Sequence, residues 1–306
     1  MTCAICDSVR TTPFMVARDM FTGEGHRIVR CDGCTLIRTE RSPSSEAMYV
    51  YGGTADAGAR FGRMQGVLRM FRRARVRQLA GLRPGRALDV GCGDGSFLAA
   101  LAQLGWEVCG TELSPSVAAT ARERLGDRIY TDTMEKAGPD SSFDLITFWH
   151  VLEHMDDPRS ALNHARRLIK PDGTVIIAVP NIQSLQAQMF KQDWLHLDVP
   201  RHRWHFEPGT LTRLADRCGF GVDHVRHFSV EYGPFGIVQG IATKLGGGHV
   251  LFTRLVRLSP LRLLRDASFW MHLLIVPLLT IPSVLIEALA AIAKRGGAIV
   301  VVLKPK

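Results

Sequence analysis

Three groups of side chains in this sequence have the types and spacing to do chemistry. The first is Asp89, Gly91, Cys92, Gly93 and Gly95, with Glu112 seventeen residues beyond the last glycine. Alternating glycines let a backbone turn tightly and approach a ligand. Dinucleotide sites use G-x-G-x-x-G to bring a helix N-terminus against a pyrophosphate, and that register is absent. A carboxylate beside the loop repels phosphate and suits a cation. The second group is Cys3, Cys6, Cys31 and Cys34, two C-x-x-C knuckles that suit a tetrahedral zinc. Four thiolates leave zinc no open position, so such a site is structural. The third group is His150, Glu153 and His154, with His202 and His205 further along. Imidazole titrates near neutral pH, which makes His150 a candidate general base or a helix-capping histidine.

The elements that must position these groups follow from the local pattern. Leu88 and Val90 suit a buried parallel strand leading into the glycines, and residues 97–104 have helical periodicity. Residues 106–113 form a second strand. An acid at its end, Glu112, can accept hydrogen bonds from both hydroxyls of a ribose. Residues 129–131, 142–148 and 174–179 read as the third to fifth strands. A turn is expected at 170–173, a sixth strand at 219–228 and a last one at 298–303. His150 then stands at the carboxyl end of the fourth strand, where ligands of such sheets bind.

At this point the chain resembles the class I S-adenosylmethionine-dependent methyltransferases, and within them the group related to ubiquinone biosynthesis O-methyltransferases. The motifs that carry the resemblance are the glycine loop, Phe143-Asp144, Val151-Leu-Glu-His154, Leu168-x-Lys-Pro-x-Gly173 and Val179-Pro-Asn181, together covering 86–181. The resemblance implies an α/β fold: a doubly wound seven-stranded, mostly parallel sheet whose last strand runs antiparallel between the fifth and sixth. It implies S-adenosylmethionine as cofactor, held by Asp89, Gly91, Cys92, Gly93, Gly95, Glu112, Leu113, Asp132, Thr133 and His150. His150, His154 and His202 are the implied catalytic candidates. Relatives with a similar Glu-His pair bind a second divalent metal, which would fall here on Glu153 and His154 with His205 or His202; His150 stands where those relatives carry another glutamate.

The remaining sequence divides around that domain. Residues 1–40 read as a zinc ribbon too short to fold without its metal. Residues 41–84 are a linker and a basic helix from about 59 to 82. The methyltransferase domain occupies 85–306, interrupted by an apolar helical insertion at 235–297. Residues 194–207, dense in histidine and tryptophan, are expected to wall the substrate side. Residues 267–286 carry no formally charged side chain and follow an arginine-leucine run at 254–265. Monotopic membrane association, a buried or dimer-forming helix pair, and a single span are the three readings of that insertion. A span would put the last strand across the membrane from the sheet it completes.

The formal net charge of +9 on 306 residues suggests an anionic neighbour: a lipid surface, a phosphorylated substrate or nucleic acid. The first residues lack the basic-then-apolar layout of a secretory signal, so the expectation is a cytoplasmic protein with reduced thiols at the inner membrane face. The expected function is methylation of a small or lipid-linked acceptor, glycan or isoprenoid. An RNA methyltransferase and a non-catalytic cofactor-binding scaffold are the alternatives.

Overall fold

A computed structural model of the chain describes residues 2–40, 65–132, 134, 137–247 and 267–306. The start of the basic helix at 59–64, Thr133 and the arginine-leucine run at 254–265 lie outside the described residues. The strands are β1 (Thr11–Arg18), β2 (Gly25–Cys31), β3 (Ile37–Thr39), β4 (Arg86–Val90), β5 (Glu107–Thr111), β6 (Ile129–Tyr130), β7 (Phe143–Trp149), β8 (Ile169–Pro180), β9 (Trp204–His205), β10 (Phe220–Arg226) and β11 (Ala298–Pro305). The helices used below are α1 (Gln65–Arg77), α2 (Ser96–Gln103), α3 (Pro115–Leu125), α4 (Pro158–Leu168), α5 (Leu185–Phe190), α6 (Pro208–Arg217), α7 (Gly233–Ala242) and α8 (Ala267–Ile292).

The chain groups into two compact units. One joins 1–45, 180–208 and 226–300; the other joins 46–179, 209–225 and 301–306. The second unit carries the α/β sheet, in the order β10-β11-β8-β7-β4-β5-β6, with β11 the antiparallel strand. Four neighbouring pairs from β8 to β6 run parallel. Phe143, Leu145, Ile146 and Phe148 of β7 are all buried, as expected of a parallel strand covered on both faces. Asp157 caps α4 by accepting from the N–H groups of Arg159 and Ser160, at 3.0 and 3.1 Å. The expected turn at 170–173 is present as an excursion within β8: Ile169 pairs with Phe143 and Thr174 with Leu145, and a Cβ on Gly173 would stand 2.6 Å from Ile169 Cγ1. Lys170 reaches back to Asp144 at 2.8 Å, and Asp144 also accepts from the N–H of Arg86. Those bonds tie the turn to β4 and β7.

In the other unit β1, β2 and β3 form the antiparallel ribbon, and a fourth strand, β9, completes it, pairing Ile37 with His205 and Arg38 with Trp204. The segment 194–207 thus supplies a strand of the ribbon's sheet. Trp194, Leu197 and Val199 pack with Ala17, Ile28 and Ile37 of the ribbon and with Ala187 and Phe190 of α5. The aromatic residues therefore supply the core that a forty-residue ribbon lacks. Arg201 seals the arrangement, bonding Asp19 at 2.9 Å and Asp198 at 2.7 Å with all three groups largely out of water. Burial would raise the Asp19 carboxyl, but the hydrogen bond and charge of Arg201 hold it below its ordinary value. Its stabilising effect is present at neutral pH and lost as pH falls through that depressed value. Arg201→Ala, which strands the buried Asp19, is expected to destabilise the protein by about 3 kcal/mol, read as a lower denaturant midpoint.

The same unit holds the apolar insertion. On α7, Gly233 lets α8 come so close that a Cβ there would stand 2.3 Å from Glu287 Cγ. Glu287 is buried, accepting from the N–H of Gly297 at 2.7 Å and from Gln186 Nε2 at 2.8 Å. Gln186 in turn accepts from Trp194 Nε1 at 3.1 Å. Among the described residues no helix is long and apolar enough to cross a membrane.

Candidate functional site

The glycine loop joins β4 to α2 in the α/β unit. Gly91, Gly93 and Gly95 have φ of +69°, +56° and +70°, a region that side chains with a Cβ rarely occupy. A Cβ on Gly91 would also lie 2.5 Å from Val151, whereas nothing approaches Gly93 within 4 Å. The loop is tight on its inner side and open at its middle. The N–H of Cys92 donates to the carbonyl of Thr111 at 2.9 Å, fastening the loop to the end of β5. The Cys92 thiol is buried and pushed up by that burial, which marks it as packing rather than reactive.

Glu112 follows directly after β5. Its two oxygens accept from the N–H groups of Gly93, at 3.1 Å, and Ser114, at 2.9 Å. Each carboxylate oxygen has a further lone pair, so the group is oriented and still able to accept from a ribose diol. Leu113 beside it is largely exposed, an apolar surface suited to lie against an aromatic base. Further along the rim, Asp132 joins Arg122, Asp127, Ile129, Tyr130 and Thr131 around a hollow of about 400 Å³. Gly91, Gly93, Glu112, Leu113 and Asp132 are thus brought to the carboxyl end of one sheet and fit a nucleoside cofactor.

Asp89 is buried inside β4, one strand over from Thr147, whose hydroxyl donates to it at 2.6 Å. Burial pushes its carboxyl up to about 7, against the Thr147 bond and the attraction of Arg75, with the charge of Glu112 adding a smaller push. A cation held near Asp89 favours its charged form, so binding releases a proton and affinity rises with pH through about 7. Calorimetry in buffers of different ionisation enthalpy measures that proton. An affinity flat from about pH 6 to 8 would contradict it. Thr147 is the supporting residue that the sequence reading missed; the available signal was a hydroxyl set between Ile146 and Phe148 in the apolar half of the strand.

His150 lies just past β7 with φ +56°, a left-handed conformation stabilised in part by its N–H donating to the carbonyl of Ala178. A bulky residue held in this region is characteristic of functional sites. Its Nδ1 is 3.5 Å from Glu153 Oε1, and both side chains are nearly inaccessible. Glu153 and His154 sit on the short turn Leu152–His154, with donor atoms within 4.8 Å of one another. Within its own unit, His202 Nδ1 faces the carbonyl of His196 at 2.8 Å. His205 is engaged elsewhere: its Nε2 is 2.9 Å from Thr39 Oγ1, and burial pushes it down to about 3. Its place in β9 makes it part of the ribbon's sheet.

The four ribbon cysteines converge. All four Sγ atoms lie within 4.8 Å of one another, with Cys3 and Cys34 at 3.3 Å and Cys6 and Cys31 at 3.5 Å. A Cβ on Gly33 would come 3.0 Å from Cys6 Sγ, so the second knuckle is wrapped closely around the first. Burial and the neighbouring sulfur of Cys3 push the Cys34 thiol up. Such crowding favours a central cation, and the soft sulfur set fits zinc.

Comparison with known proteins agrees with this geometry. Residues 63–225 match the family described as a methyltransferase domain. The ubiquinone biosynthesis O-methyltransferase of Methylococcus capsulatus is 34% identical over 163 residues, 49% of this chain and 68% of that protein. The protein of the same name from Alkalilimnicola ehrlichii is 37% identical over 150 residues, 45% of this chain and 61% of that protein. Among solved structures, a SAM-dependent methyltransferase from Thermotoga maritima superposes with a TM-score of 0.51 at 19% identity, covering 85% of this chain and all of that one.

Proposed function

We propose, from the premise that this chain belongs to the methyltransferase-domain family and is an S-adenosylmethionine-dependent methyltransferase, that it methylates a small or lipid-linked acceptor of isoprenoid or glycan type at a membrane face. The observation that carries this reading is the exposed apolar side of α8, which gives the chain a means of meeting an acceptor dissolved in lipid. The names of the relatives point the same way, toward an isoprenoid acceptor.

When bound, S-adenosylmethionine supplies a methyl group made electrophilic by its sulfonium. The chain's own residues do the rest. The open backbone at Gly93 and the carboxylate of Glu112 hold the nucleoside, and a fixed approach line supplies much of the rate. His150 takes the proton from an acceptor hydroxyl, and Glu153 beside it stabilises the imidazolium. In the same reading, Glu153 and His154 offer two ligands to a divalent metal beside the acceptor, and the Cys3, Cys6, Cys31 and Cys34 group holds zinc for the fold alone.

His150→Asn keeps a residue that tolerates the left-handed backbone while removing the base. It is expected to lower kcat by about 100-fold and to abolish the acid limb of the pH profile. An unaltered profile rejects the base. The acceptor is tested with a labelled methyl donor and separated lipid, RNA and soluble fractions from cells. Label in the lipid or soluble fraction supports the reading, and label confined to RNA replaces it.

A further inference from the structure

Five large apolar side chains on α8, Leu278, Ile281, Leu285, Leu289 and Ile292, are 60–80% exposed. Their spacing of three and four residues places them on one side of the helix. They run for about 21 Å along it. The other side is fastened to the protein. Ser283, Glu287 and Ala290 are buried, and Glu287 is bonded to Gln186 and to the backbone entering β11. The helix therefore has two faces with opposite commitments, one polar contact set inward and one apolar stripe outward.

We infer that this stripe is a lipid-contacting face, by which α8 lies in the plane of an anionic membrane surface without crossing it. Two observations choose the bilayer over another protein. Lys294 and Arg295, both exposed, stand just past the C-terminal end of the stripe. The sequence preceding the helix carries Arg254, Arg257, Arg262 and Arg265 among leucines, and the whole chain has a net charge of +9. Positive charge flanking an apolar helix face matches anionic headgroups around an acyl boundary. The Glu287 contacts decide the orientation. A spanning helix would have to carry that carboxylate into hydrocarbon after breaking its bonds to Gln186 and Gly297, and would pull Ala298 away from the sheet that β11 completes. An in-plane helix keeps every one of those contacts and still buries the stripe.

The inference rests on the membrane-face reading above, and its test separates the two. The full chain is mixed with vesicles of phosphatidylcholine alone or with phosphatidylglycerol added, and bound protein is measured by flotation. Binding is expected on the anionic vesicles and should weaken with salt. Leu285→Glu combined with Leu289→Glu should reduce it by about 100-fold. The conservative pair Leu285→Met and Leu289→Met should retain it, and calorimetry with S-adenosylmethionine should be the same for all three proteins, which verifies folding. Equal flotation of the glutamate variant overturns the inference. So does a wild-type chain that ignores vesicles but forms a dimer which the glutamate variant breaks. Methylation of a soluble acceptor by a chain that fails to float defeats the lipid face and leaves the enzyme; flotation without methylation of any lipid fraction does the reverse.

Discussion

Glu112→Ala is expected to weaken S-adenosylmethionine binding by at least about 100-fold. Two charge-assisted hydrogen bonds to ribose hydroxyls, at roughly 1.5 kcal/mol or more each, account for that factor. The same carboxylate also holds the N–H groups of Gly93 and Ser114, so its removal loosens the loop from the end of β5. Glu112→Gln should fall between, since an amide keeps one acceptor oxygen and loses the charge. Calorimetry reads the effect directly. An affinity within threefold of the parent would mean that Glu112 only caps the loop. The sheet is not expected to unfold in either variant, because Glu112 lies after the last paired residue of β5.

Metal removal should have the larger structural effect. A structural zinc contributes on the order of 10 kcal/mol in small ribbon-like peptides, and here the ribbon supplies part of a larger core. Ala17, Ile28 and Ile37 pack with Trp194, Leu197 and Val199, so loss of the metal should loosen 194–208 as well as 1–40. Cys34→Ser or a strong chelator is expected to expose Trp194 and Trp204, read as a red shift in tryptophan emission, and to open both segments to protease. The purified chain should carry one zinc per molecule by elemental analysis. A folded, protease-resistant chain with no bound metal would sink the assignment.

The parts of this molecule that could be read in advance are those whose partners lie close in sequence or whose chemistry fixes their spacing. Asp89, the three glycines and Glu112 sit on consecutive strand ends of one βαβ unit, so local pattern places them. The two C-x-x-C knuckles declare themselves by ligand geometry. The Trp194 to Glu207 stretch does not, because its place depends on pairing with Ile37 and Arg38, and a three-residue strand announces no partner. The contact of His205 with Thr39 is hidden for the same reason, since nothing nearby in sequence announces it. Thr147 reads in the sequence as an ordinary strand residue, while the Pro-Asp-Gly turn at 170–173 is legible because its residues are local. The division of α8 into a fastened side and a free one depends on Gln186 and Gly297, from two different parts of the chain.

The pairing of Ile37 with His205 also sets a timetable for synthesis. The ribbon's cysteines are made first, yet the strand that closes its sheet is translated more than 160 residues later. At about 5–20 residues per second, the nascent ribbon waits on the order of ten seconds with its sheet incomplete and its thiols within reach of solvent. Zinc loading during that interval would meet a ribbon whose sheet is still open, and loading after release would meet one already closed by β9. The order in which metal and chain arrive should therefore matter: a chain translated under zinc starvation is expected to regain its fold slowly, or only after unfolding, when zinc is restored.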